Sequence, residues 1–185
     1  MHKSDTPAAR ILAAADKLFY EQGIRAVGVD AIAEQAGVSK RTLYNYYPTK
    51  DELIAAYLTG RFSQIAPSDA PAREQILAYF DRVERMIEDG SFRGCPFVNA
   101  VTEIGDRRHA AVALAVQFKQ QRRQWYRSLL ERMEVKDPEA LATQLQILVE
   151  GALAAALVQG DKAVAGAARA AAEILLDSAS LKKKR

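Results

Sequence analysis

Apolar residues recur along this chain with a helical period almost everywhere, and no segment alternates convincingly with a period of two. Ile11, Leu12, Ala15, Leu18 and Phe19 line one face of a first helix, which Thr6 caps, Pro7 opens and Gly23 ends. Gly28 caps a short second helix with Val29, Ile32, Ala33 and Ala36 facing inward. Gly37 breaks the chain, Ser39 caps a third helix and Pro48 stops it. The capping box "TKDE" at Thr49–Glu52 opens a fourth. After Gly60 the stretch "APSDAP" reads as a loop, and helices are expected near 71–89, 97–104, 106–134, 138–160 and 162–179. The fold class is all-α, with a first domain over 1–53 and a second over 54–185.

The stretch "SKRTLYNYY" at Ser39–Tyr47 combines two cations, a threonine, an asparagine and three tyrosines. On a helical wheel Leu43, Tyr44 and Tyr47 fall on one side, able to pack on the first two helices, and Arg41, Thr42, Asn45 and Tyr46 fall on the other. Two short helices joined by a tight glycine-containing turn make a helix-turn-helix, whose second helix enters the DNA major groove. Arginine bonds guanine bidentately, asparagine bonds adenine, and the threonine methyl meets thymine. Ser39 and the free N–H groups at that helix start suit a phosphate, as does the start of the next helix at Lys50.

Residues 6–58 resemble the N-terminal domain of the TetR (tetracycline-repressor) family of bacterial regulators. The resemblance rests on "LF" at Leu18–Phe19, Gly23, "IAEQAGVS" at 32–39, "TLY" at 42–44, Tyr47 and Lys50. It implies a homodimeric repressor that releases a double-stranded DNA operator when a small-molecule effector enters the C-terminal domain. It also implies phosphate contacts from Tyr44 and Lys50, with Leu43 and Tyr47 in the core. Gly28 stands where the family usually has Ser or Thr, and Arg41 where glycine is common. The candidate DNA-binding residues are Gly28, Ser39, Lys40, Arg41, Thr42, Tyr44, Asn45, Tyr46 and Lys50.

A single protomer grips one half-site, so the chain needs a self-complementary surface. The helices near 138–160 and 162–179 are assigned to it. Leu141, Leu145, Leu148 and Ala152 form one stripe of the first, and Leu153 and Leu157, with Ala154, another on the opposite side. Gly151 and Ala155 permit close approach, and Val164, Ala168, Ala171 and Leu175 form the stripe of the second helix.

For an effector pocket the apolar faces offer Phe80, Val83 and Ile87, then Phe118 and Trp125. Polar groups on such faces are the more informative: Asn99 and Glu103 after Cys95, then Arg122 and Glu150. A buried charge needs a partner. Arg122 is therefore expected to pair with Glu103, with Glu150, or with an anionic effector group. Cys95 joins the candidate pocket set and is read as packing there, not as a redox sensor, because a second cysteine is absent from the sequence.

Composition narrows the alternatives. The formal charge of +3 is carried by the terminal "KKKR", which leaves −1 for the rest, so a nucleic-acid surface must be local. One cysteine precludes an intrachain disulfide and fits a reducing compartment. The N-terminus reads as no signal peptide, and the run Gly151–Val158 is too short to span a bilayer, so a cytoplasmic protein with no membrane partner is expected. An all-α enzyme or a ligand-binding dimer without DNA binding are the competing classes. Against an enzyme, His2 and His109 lie far apart, Cys95 lacks a local base, and no phosphate loop occurs. No cofactor or metal is expected.

Overall fold

A computed structural model describes residues 6–62, 65 and 67–180. His2 and the "KKKR" tail lie outside these. The regular elements are helices: α1 (Pro7–Gln22), α2 (Val29–Gln35), α3 (Lys40–Tyr46), α4 (Lys50–Arg61), α5 (Ala72–Glu88), α6 (Pro96–Ile104), α7 (Ala110–Arg132), α8 (Pro138–Gln159) and α9 (Ala163–Asp177). They form two compact units. One runs through residue 64 and takes in Cys95–Phe118, and the other holds Ile65–Gly94 and the chain from Lys119 onward. The compact unit around the first helices is thus larger than residues 1–53.

In the first unit α1 packs on α2, α3 and α4. The Thr6 hydroxyl accepts from the Ala9 N–H at 3.2 Å, and Thr49 accepts from Glu52 N at 3.1 Å, so both expected N-caps form. Ile11, Ala15, Leu18, Phe19, Ile32, Leu43, Leu53 and Tyr57 fill the centre, and Leu12 and Val29 reach it only partly. Ile24 and Val27, in the α1–α2 loop, are also buried. From α6 and the start of α7 come Phe97, Ala100, Ala111 and Ala115. Phe97 stacks on Phe118 with centroids 4.1 Å apart, and Phe62 meets both edge-on.

α7 starts at Ala110, four residues later than the apolar period suggests. Asp106 turns the chain by accepting from Arg108 N at 2.9 Å, and His109 Nδ1 accepts from Ala111 N at 3.1 Å. These side chains compete with the helix for backbone N–H groups.

In the second unit α9 packs on both α5 and α8. Its core joins Ile76, Phe80, Val83 and Ile87 to Tyr126, Leu129, Leu130, Leu145, Val149 and Leu176. Arg169 reaches Asp81 at 2.6 Å and Arg73 reaches Asp177 at 2.8 Å, which orients α9 along α5. The α8 stripes differ from expectation. Leu153 is buried beside Leu145 and Ala156, and the outward line is Ile147, Gly151, Ala154 and Val158, with Leu157. On α9 the buried line is Ala165, Ala168, Ala172 and Leu176; Val164, Ala171 and Leu175 are half-buried.

Taken whole, α8 is long and apolar enough to cross a membrane by length and composition, contrary to the impression given by its longest uninterrupted apolar run. Thr143, Gln144, Gln146 and Glu150 interrupt it, and one side of it is packed within the unit.

Candidate nucleic-acid interface and effector region

The geometry of α2 and α3 follows from three local features. Gly37 sits at φ +62, a left-handed conformation that glycine adopts without a Cβ penalty. There the chain reverses, with Gly37 N donating to Glu34 O and Val38 N to Ala33 O, each at 3.0 Å. Ser39 then starts α3 by accepting from Thr42 N at 3.0 Å. Leu43 is fully buried under α1 and α2, and fixes which side of α3 faces out.

Arg41, Asn45 and Tyr46 project from that outer side. Tyr44 joins them. It is 39% exposed, so the wheel's grouping of Tyr44 with Leu43 and Tyr47 is corrected: seven residues of helix leave Tyr44 at the edge of the packed face. Tyr47 is half-buried, and that burial pushes its phenol above the ordinary range. Thr42 is half-buried, with its hydroxyl 2.8 Å from that of Ser39. Lys40 pairs with Asp30 at 2.9 Å, tying α3 to α2; the hydrogen bond to Asp30 raises the lysine's pKa. Gly28 caps α2 with no side-chain bond and open space around it.

Lys50 is the first residue of α4, where it was expected. Its ammonium donates to Ile24 O at 2.6 Å and lies 5.9 Å from the Phe19 ring centroid. Burial lowers its pKa, against the pull of Asp51 and Glu103. The lysine fastens the α1–α2 loop with one of its three N–H donors.

The same loop is held from the other side. Glu103 Oε2, on α6, accepts from Arg25 N at 3.0 Å. Glu103 therefore belongs to the first unit and caps a loop there, whereas Arg122 belongs to the second unit. Nearby, His109 Nε2 lies 3.3 Å from Asp51 Oδ1 at the start of α4. Sequence reading missed Arg25 and Asp51 and gave His109 no structural role, because these contacts depend on how α6 meets the α1–α2 loop and how the turn before α7 meets α4.

The residues expected to line one effector pocket are divided between the two units. Phe80, Val83 and Ile87 are closed core. Cys95 stands at the N-terminal cap of α6, and Asn99 is half-buried on it. Phe118 is stacked on Phe97. These last three lie in the first unit, with Glu103. Glu150 forms an ion pair with Lys119. Arg122 is 7% exposed, with its guanidinium carbon 4.4 Å from the Tyr79 ring centroid. Tyr126 is buried beside it, and its hydroxyl has no hydrogen-bond partner among the described residues. Burial raises the phenols of Tyr79 and Tyr126, Arg122 opposing the rise in both.

Of the expected set, Trp125 borders a cavity of about 300 Å³, together with Gln75, Ala78, Tyr79 and Arg82. This cavity uses the polar side of α5. The apolar stripe singled out from the sequence is the side that packs inward.

Comparison with known proteins agrees with this architecture. The model for bacterial regulatory proteins of the tetR family matches residues 11–57, and that for the tetracyclin repressor-like C-terminal domain matches 72–172. The HTH-type transcriptional regulator YjdC of Escherichia coli K12 is 27% identical over 174 residues, spanning 90% of this chain and 91% of that protein. The HTH-type transcriptional repressor Rv3405c of Mycobacterium tuberculosis is 30% identical over 132 residues, spanning 60% of this chain and 70% of that protein. A TetR-type regulator (SAV143) of Streptomyces avermitilis superimposes with a TM-score of 0.85 at 35% identity, covering 96% of this chain and 100% of that one. The TetR-family regulator SCO4454 of Streptomyces coelicolor gives 0.83 at 30% identity, covering 94% and 96%. With matched models over most of its length and these relatives across it, the chain belongs to the TetR family of helix-turn-helix transcriptional regulators.

Proposed function

We propose that this protein is a cytoplasmic homodimeric repressor that leaves a palindromic operator when a small molecule occupies its second unit. The observation that carries the reading is the outer side of α3, where Arg41, Tyr44, Asn45 and Tyr46 stand exposed on a helix anchored by buried Leu43. Arg41 and Asn45 are four residues apart, one helical turn, so both reach base edges from one docking position. Lys40, Tyr44 and, through its remaining N–H groups, Lys50 supply phosphate contacts.

Dimerisation is supported by α8 and α9, which leave Ile147 and Ile174 62% and 68% exposed. Two such pairs of helices form a four-helix contact between protomers. That contact sets the two recognition helices about 34–36 Å apart, one turn of duplex. An effector acts by binding one of two dimer geometries more tightly, which draws the protein away from the operator.

Gel-shift titration against the DNA flanking the protein's own gene tests the proposal. A palindromic site is expected to bind tightly, with affinity falling steeply as salt rises. Binding that is equally weak on all sequences would sink the repressor reading and favour a ligand-binding dimer.

A further inference from the structure

The cavity beside α5 is built for a particular ligand chemistry. Ala78 lies four residues after Glu74 and four before Arg82, so its small side chain leaves a gap between two long ones on the same face. Trp125 forms the wall from α7. Its ring centroid is 5.7 Å from that of Tyr79 and 5.0 Å from that of Tyr126, and Tyr126 meets Tyr79 edge-on at 5.9 Å. The three rings brace one another, leaving half-buried Trp125 and Tyr79 to form the aromatic wall of the cavity.

Charge gives that surface a direction. Arg122 lies over the Tyr79 ring, and Lys119 and Arg82 also act on its hydroxyl. Lys119 and Glu150 form an ion pair and offset each other there, which leaves Arg82 and Arg122. The Tyr79 end is therefore cationic. Glu74 stands at the other end, eight residues from Arg82, or about 12 Å along the helix axis. Gln75 supplies no donor for a ligand, because its amide nitrogen already bonds Ser68 O at 3.0 Å and Ala70 O at 2.6 Å.

We propose that this cavity binds a flat aromatic monocarboxylic acid, its ring against Trp125 and Tyr79 and its carboxylate on Arg82. The assignment rests on the effector reading above and names the class of molecule that site takes. A ring lies against the wall that indole and phenol form, a single carboxylate meets the cationic end, and Glu74 rejects a second acid at the far end.

Calorimetric titration of the full chain with naphthoate, naphthamide, naphthylmethylammonium and naphthalenedicarboxylate tests it. Emission from Trp125, the one tryptophan in the chain, reports the location. Naphthoate is expected to bind at least about tenfold more tightly than the amide, with a saturable change in Trp125 emission. Arg82→Gln, at an exposed position, removes that preference and leaves amide binding unchanged. The diacid binds more weakly than naphthoate, and Glu74→Gln narrows the difference.

Equal or tighter binding of the amide or the ammonium overturns the proposal. So does binding without a change in Trp125 emission, a preference that survives Arg82→Gln, or binding of no probe. Gel shift on the same preparations separates the two readings. A chain that shifts its operator but ignores naphthoate loses only the ligand class, and one that binds naphthoate but no DNA loses the repressor function.

Discussion

Glu103 accepts a hydrogen bond from the Arg25 backbone N–H at 3.0 Å, and its Oε2 lies 2.9 Å from where a Cβ on Gly23 would stand. Gly23 has φ +95, so a side chain there meets both backbone strain and the carboxylate. Glu103→Ala is expected to cost about 1–2 kcal/mol by leaving the Arg25 N–H without its charged acceptor. Gly23→Ala should cost about 1–3 kcal/mol. The double variant should lose less than the sum, because removing the carboxylate removes the collision but not the strain. Urea unfolding of the four proteins measures this coupling, and strict additivity would show that the contact carries no energy.

Base and backbone contacts on α3 separate by their dependence on operator sequence. Arg41→Ala or Asn45→Ala is expected to relax discrimination by about 1–3 kcal/mol at one base pair. Tyr44→Phe should weaken all sequences alike. Lys50→Met should weaken all sequences, flatten the salt dependence, and also lower stability without DNA by about 1 kcal/mol. The last effect follows from the bond to Ile24 O, which the free protein already makes. Binding isotherms across single-base operator variants at several salt concentrations, with a melting curve of each protein, check all four.

Gly28 offers a gain. Its φ of −85 and ψ of 157 suit any L-residue, and a Cβ there meets nothing within 4 Å. Gly28→Ser is expected to stabilise the protein by about 1 kcal/mol over Gly28→Ala, because its hydroxyl can accept from an N–H of the first turn of α2. Thermal unfolding of both variants isolates the cap from the loss of glycine's chain entropy. Equal midpoints would mean that the first turn of α2 is already satisfied by water.

Local signals explain which parts of this structure were readable beforehand. Thr6, Ser39, Thr49 and the glycines at 23 and 37 act within a turn of themselves, so they mark helix ends from sequence alone. Leu43 reads as buried because it repeats the period of its neighbours. Tyr44 misleads, since a wheel has no way to show how wide the packed face of so short a helix is. The proposed effector region is less legible still. Phe80, Val83 and Ile87 form the stronger apolar stripe and are core for that reason, while the cavity uses Ala78 and Arg82 on the polar side of the same helix. Glu103, Arg122 and Glu150 all announce charge on an apolar face. Which of them meet is decided by how helices far apart in sequence pack, and periodicity carries no information about that.

The outer faces of α8 and α9 make the proposed dimer testable at two independent helices. Ile147, Gly151, Ala154 and Val158 fall on one line, and Ala163, Ala167, Ala170 and Ile174 on the other, all of them exposed. Val158 is 83% exposed. Burying an isoleucine or valine side chain against a partner contributes roughly 1.5–3 kcal/mol, and each contact across a two-fold axis counts twice. Ile147→Glu and Ile174→Glu place charges where the apolar faces meet, without touching the buried lines that hold α8 to α9. Each should convert the protein to monomer in sedimentation equilibrium while its helical circular dichroism persists. Operator affinity should fall with it, because two linked recognition helices gain from effective concentration and one alone does not. A variant that stays dimeric at both positions would move the protomer contact to another face.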